Sequence, residues 1–177
     1  MDEIPPVSST WVIEEIPDID FVLRQVPVIQ TGPSGRRVPN ETAFKLRPGE
    51  NGLSVNWEKY LDVKGNYILL GLTFNKNNTF IDYTAFKIFR LEVGYIRSVS
   101  GVTDVLHDPV FRGDPAPVGQ PNNRAHSLII CDDDEEVRTK LSDYCRDNFD
   151  ISDCKFKITS LKTEIEKLKQ RLNDTIS

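Results

Sequence analysis

From residue 155 the chain reads KFKITSLKTEIEKLKQRLNDTIS, and Ile158, Leu161, Ile165, Leu168 and Leu172 step by 3, 4, 3 and 4. Only a helix gathers residues at that spacing on one face, and the spacing is that of a heptad seam. Three heptads are marginal alone. Each seam residue contributes about 1.5–3 kcal/mol when fully buried, against about 1–2 kcal/mol per residue for ordering the backbone. The helix therefore needs something to cover residues 157–177: a second copy of the chain, another protein, or a groove on its own domain.

The rest of the chain reads as one α+β domain. The expected organisation is an extended arm over 1–20 carrying Pro5, Pro6 and Pro17, a compact domain over 21–153 with a small mixed or antiparallel sheet, and the amphipathic coiled-coil-type helix over 154–177. A domain of that size buries roughly two-thirds of its unfolded surface and folds without a metal or disulfide. The three cysteines are odd in number and form no C-x-x-C, so no disulfide framework and no metal site is expected. No cofactor fingerprint is present: the ten glycines form neither G-x-G-x-x-G nor a P-loop. A net charge of −5 argues against a general nucleic-acid partner. No apolar run approaches a membrane span, and the acidic opening MDEIPPVSSTW is unlike a signal peptide, so a cytoplasmic setting is expected.

Along the chain, IPDIDFVLRQV forms a short ordered element, and QTGPSGRRVPN is a loop with Arg36 and Arg37 at its tip. RPGENG makes a turn. LSVNW alternates as a strand with Leu53, Val55 and Trp57 on one face and Ser54 and Asn56 on the other, and WEKYL begins a helix. The continuous apolar run YILLGLTF, Tyr67–Phe74, reads as a central strand. In TAFKIFRLEVGYIRSV two readings compete: LEVGYIRSV alternates like a strand, but the spacing of Phe86, Phe89, Val93 and Ile96 favours a helix over 84–92 that breaks near Gly94. VTDVLHDPV and HSLIIC are strands. CDDDEEVRTKLSDYCRDNF is a helix whose acids cap its first turn and whose stripe is Val137, Leu141, Tyr144 and Cys145.

Chemistry is concentrated between Val105 and Ile130, which holds both histidines and four of the eleven prolines. His107 and Asp108 are strand neighbours that point to opposite faces and do not pair; His107 is expected to be a partly exposed strand-end residue. PNNRAH sets polar side chains at the mouth of a strand, where binding residues tend to lie. There Asn123 fixes or orients, Arg124 meets an anion with Arg36 or Arg37, and His126 is the candidate acid or base. A plainer reading has Asn123 capping the turn and His126 closing the edge of the core. Ser54 lacks a G-x-S-x-G surround, and no Ser/His/Asp set can be assembled from spacing alone.

The segments AFKLRPGENGLSV, VTDVLHDPV and NNRAHSLII together resemble small uncharacterised bacterial proteins with an A-F…L-S-V segment, then D-P, then N-x-A-H before an apolar strand. The matching positions are Phe44, Ser54, Asp108, Pro109, Asn123, Ala125 and His126. The heptad tail and the DPAPVGQ insert depart from that compact form. The resemblance implies no activity, but it adds weight to His126.

Two functions follow as expectations. The first is a non-catalytic interaction component of a bacterial multi-protein system, binding a partner protein through its domain and its C-terminal helix. The second is a small enzyme or ligand-binding domain for a nucleotide-like or phosphorylated molecule, using the loop of Asn123, Arg124 and His126.

Overall fold

Alternation places Leu53–Trp57 as a strand, and its pairing organises the chain. In the computed structural model, which describes residues 11–31, 38–148 and 158–174, five strands form one antiparallel sheet: β1 Phe21–Pro27, β2 Leu53–Trp57, β3 Phe86–Glu92, β4 Val102–His107 and β5 His126–Cys131. Their order across the sheet is β3-β1-β2-β5-β4. The α+β class is as expected, and the sheet is antiparallel throughout.

The central pairing is short. β1 meets β2 only at Val22↔Trp57 and Leu23↔Asn56. β1 nevertheless runs on beside β3 as far as Pro27↔Phe86, and β2 beside β5 as far as Leu53↔Ile129. Past Leu23 and Asn56 the two strands part, which leaves a fork inside the sheet.

Helices cover both faces. On one, α3 (Glu135–Asp147) packs Val137, Leu141 and Cys145 onto Val26, Phe89 and Leu91, with Phe44 supplied by the 3-10 turn Glu41–Phe44. Asp134 caps α3 by accepting from the Val137 N–H at 2.8 Å, which explains the acids at its start. On the other face lie α1 (Val63–Gly71) and α4 (Lys162–Asp174), with Tyr67, Leu70 and Ile165 against Leu23 and Ile88. A short helix, α2 (Val93–Ser98), follows β3.

Three expectations are corrected. Tyr67–Phe74 is not a strand; most of it lies in α1, where Asp62 caps the helix by accepting from the Gly65 N–H at 2.7 Å. A continuous apolar run does not distinguish a buried helix from a buried strand; the cap upstream decides it. Residues 86–92 are β3 rather than part of a helix over 84–92, and the helix comes after, in α2. β3 is covered on both faces, Phe89 and Leu91 by one core and Phe86 and Ile88 by the other, so alternation is lost. WEKYL makes a turn, closed by the Tyr60 N–H to the Trp57 carbonyl at 3.1 Å, and the helix that follows it starts only at Val63.

The ends of the described chain are built into the domain. Ile16 is 1% exposed, and the Gly94 N–H donates to the Asp18 carbonyl at 2.8 Å. Leu161 and Ile165 of the heptad seam are buried against α1 at 1% and 0% exposure, while Leu168 and Leu172 are half-buried. The groove that covers the first part of the seam is thus the chain's own. Gly71 makes this possible: a Cβ there would sit 2.9 Å from Ile165 Cγ2. The side chain of Ile158 lies outside the described residues.

Candidate functional site

The two histidines are held as opposite tautomers, and their hydrogen bonds show why. His107 is 2% exposed, which corrects the expectation of a partly exposed residue. Its Nδ1 accepts from the Glu14 N–H at 3.1 Å, and its Nε2–H donates to the Arg124 carbonyl at 2.7 Å. With Trp57 edge-on and Tyr60 stacked upon it, the ring is a core member with both nitrogens used.

His126 is the reverse. Its Nδ1 lies 2.7 Å from the Asp108 carbonyl oxygen, which can only accept, so Nδ1 carries the proton. In the neutral ring Nε2 then accepts, and its partner at 2.8 Å is the Ser54 hydroxyl. The Asp108 carboxylate stands 3.4 Å from Nδ1. Strand register brings these together: Asn56 faces His126 directly across β2 and β5, so Ser54, two residues along on the same face, lies on the diagonal.

Arg24 occupies the fork. Nε and Nη2 donate to the Ala43 carbonyl at 3.3 and 2.9 Å, and Nη1 donates to the Ser54 carbonyl at 2.5 Å. That carbonyl lies beyond the last β1–β2 pair, so the guanidinium stands in for the missing strand. Among the described residues no carboxylate bonds Arg24; Glu50 acts on it only through the field, and burial pushes its pKa down to about 10. Three of its five N–H donors are used, leaving two.

Next to the fork runs a line of amides. Asn123 donates to Asn56 Oδ1 at 2.7 Å, Asn56 donates to Asn66 Oδ1 at 2.6 Å, and Gln25 donates to the same oxygen at 3.1 Å. Asn66 anchors the line through its own NH₂ on the Leu61 and Asp62 carbonyls at 3.1 and 2.9 Å. Among the described residues no buried side-chain polar atom lacks a partner. A fully satisfied network of this kind is rigid. Arg24, Gln25, Ser54, Asn56, Asn123 and His126 all line one cleft of about 320 Å³, to which Leu69, Leu70 and Phe86 add apolar lining.

Comparison with protein-family models, with curated proteins and with solved structures gives no match.

Of the expected site residues, Asn123 and His126 meet in the cleft. Arg124 does not: its guanidinium lies over the Tyr60 ring at 4.1 Å and bonds the Tyr60 hydroxyl at 3.2 Å. Arg36 and Arg37 lie outside the described residues. Sequence reasoning missed Arg24, Gln25 and Asn66. The signal for the first was a lone arginine within FVLRQV, a strand otherwise rich in apolar residues. No group of His, Cys, Asp and Glu able to hold a metal is gathered among the described residues, and none of their helices is long and apolar enough to cross a membrane.

The arrangement offers an anion a guanidinium fork, offers a polar ligand several amides, and sets a hydroxyl against an imidazole nitrogen that accepts its proton. Cys131 and Cys145 add nothing reactive. Burial pushes the first thiol up to about 11 and the second further still.

Proposed function

We propose that the chain is a binding domain for a small phosphorylated or nucleotide-like molecule, held in the cleft where β1 and β2 part. The observation that carries this reading is Arg24, a cation without a carboxylate partner among the described residues, beside a polar cleft in a chain of net charge −5. A phosphate is what a guanidinium fork takes best. Gln25 and Asn123 supply neutral polar groups, held in place by the buried Asn56 and Asn66, and Leu69, Leu70 and Phe86 supply apolar lining. About 320 Å³ is at the small end of the range for ligand sites, which suits a mononucleotide or less.

In this reading His126 keeps the part that the sequence suggested, an acid or base at the ligand, and Arg24 takes the part expected of Arg124. A cytoplasmic setting goes with it, supported by the free thiols of Cys131 and Cys145. The interaction component docking through residues 157–177 has less behind it, because Leu161 and Ile165 are already buried in cis.

Calorimetric titration of the full chain with inorganic phosphate and with AMP tests the proposal. Binding should occur, and should weaken by about 10- to 100-fold in Arg24→Met and in Arg24→Lys, which lacks the fork. Binding that is absent, or equal in wild type and both variants, overturns it.

A further inference from the structure

We infer that Ser54 is a nucleophile with His126 as its base, and that the cleft hydrolyses a small carboxylic ester carrying an anionic group. The inference rests on the proposed anion site for its substrate class, but not for its chemistry. Three observations support it. The hydrogen bond from Ser54 Oγ to His126 Nε2 has the sense that nucleophile activation needs, because the Asp108 carbonyl fixes the ring proton on Nδ1. The Asp108 carboxylate stands 3.4 Å from Nδ1, on the side of the ring away from Ser54, so serine, imidazole and carboxylate lie in line. Finally, the fork uncovers the hydroxyl: Ser54 is exposed and lines the cleft, whereas Asn56, one step further into the paired region, is 5% exposed.

This placement explains why no elbow motif marks the residue. In a G-x-S-x-G turn a sharp bend presents the serine; here a strand presents it where its neighbour has swung away. Attack by Ser54 Oγ on the ester carbonyl carbon forms a C–O bond while Nε2 takes the hydroxyl proton. Collapse breaks the bond to the leaving alcohol, which receives that proton from His126. Water then repeats the sequence: Nε2 takes its proton, the hydroxide attacks the acyl-serine, and Ser54 leaves with the proton restored. The sum is ester plus water to acid plus alcohol. The guanidinium of Arg24, bonded to the carbonyl of Ser54 itself, places the substrate's anion within one residue of the hydroxyl.

The test is reaction of the full chain with diisopropyl fluorophosphate, read by peptide mass spectrometry, beside hydrolysis of p-nitrophenyl acetate and of mono-p-nitrophenyl succinate. The adduct should fall on Ser54 and be absent from Ser54→Ala. Labelling should slow at least about 100-fold in His126→Ala, and the succinate should be preferred by wild type but not by Arg24→Met. Asp108→Asn, which keeps the carbonyl, should lower kcat and leave KM unchanged. Phosphate binding by Ser54→Ala, measured alongside, separates the two ideas. No adduct on Ser54 with phosphate still bound overturns the nucleophile alone; an adduct without phosphate binding sustains it and overturns the anion site.

Discussion

Arg24 Nη1 donates to the main-chain carbonyl of Ser54 at 2.5 Å, at the point where β1 and β2 cease to pair. One side chain thus replaces a ladder bond and holds the fork at a fixed width. Removing it leaves the Ser54 and Ala43 carbonyls without that donor.

Arg24→Met is accordingly expected to destabilise the chain by about 1–2 kcal/mol, the cost of leaving the part-buried Ala43 carbonyl and the more open Ser54 carbonyl without their donor. Urea denaturation checks this. Arg24→Lys should recover part of the loss, since an ammonium reaches one carbonyl but does not bridge two. A midpoint unmoved in both variants would mean that the strands part for another reason.

The two histidines give the second expectation. His107→Ala removes a ring stacked on Tyr60 and orphans the Glu14 N–H and the Arg124 carbonyl, so a loss of about 3 kcal/mol is expected. His126→Ala removes two hydrogen bonds as well, but from a side chain that keeps 19% of its surface open, so it should cost less, about 1–2 kcal/mol. Paired melting curves decide it. Equal losses would place His126 in the core and weaken every reading of the cleft.

Sequence reached the strands wherever one face was dry and the other wet. LSVNW alternates because Leu53, Val55 and Trp57 go into the core and Ser54 lines the cleft. It reached α3 because Asp134 must cap something. It failed at β3 and α1, where burial on several sides erases the period. The cleft was half legible. His126 and Asn123 are near in sequence, but Arg24 and Ser54 join them only through strand order, and no local pattern encodes a fork between β1 and β2. Arg124 is held away from the cleft for a related reason: its partners, Tyr60 and Glu14, are far away in the chain.

Docking of the C-terminal helix depends on the absence of a methyl group. Gly71→Ala would drive a Cβ to 2.9 Å from Ile165 Cγ2 and 3.0 Å from Cδ1. Overpacking of that kind costs about 1–3 kcal/mol. Ile165→Ala, at a fully buried site, should cost about 2–5 kcal/mol. The double variant should lose less than the sum, because the new methyl then occupies part of the space left by the isoleucine. Additive losses in a denaturation cycle would show that α4 does not rest on Gly71 in solution.

The arm should make the chain sensitive to acid, and Glu14 sets the direction. Its carboxylate accepts from Lys59 Nζ at 2.6 Å and from the Tyr60 hydroxyl, which hold its pKa below the ordinary 4.5. Asp133 is likewise held low, by the Leu46 N–H and then Arg138. A carboxyl group whose folded pKa is depressed stabilises the fold above its unfolded value, and that contribution fades as pH falls through the folded value. The melting temperature should therefore be steady with respect to these groups above about pH 5 and drop below about pH 4. Glu14→Gln should start lower near neutrality and fall less steeply in acid, since its amide has no proton to gain. Glu14 is partly open to solvent, where salt screens its ion pair with Lys59, so the difference between wild type and variant should shrink in 0.5 M salt. A variant curve parallel to wild type at every pH would remove Glu14 as the source and leave the acid limb to other carboxylates.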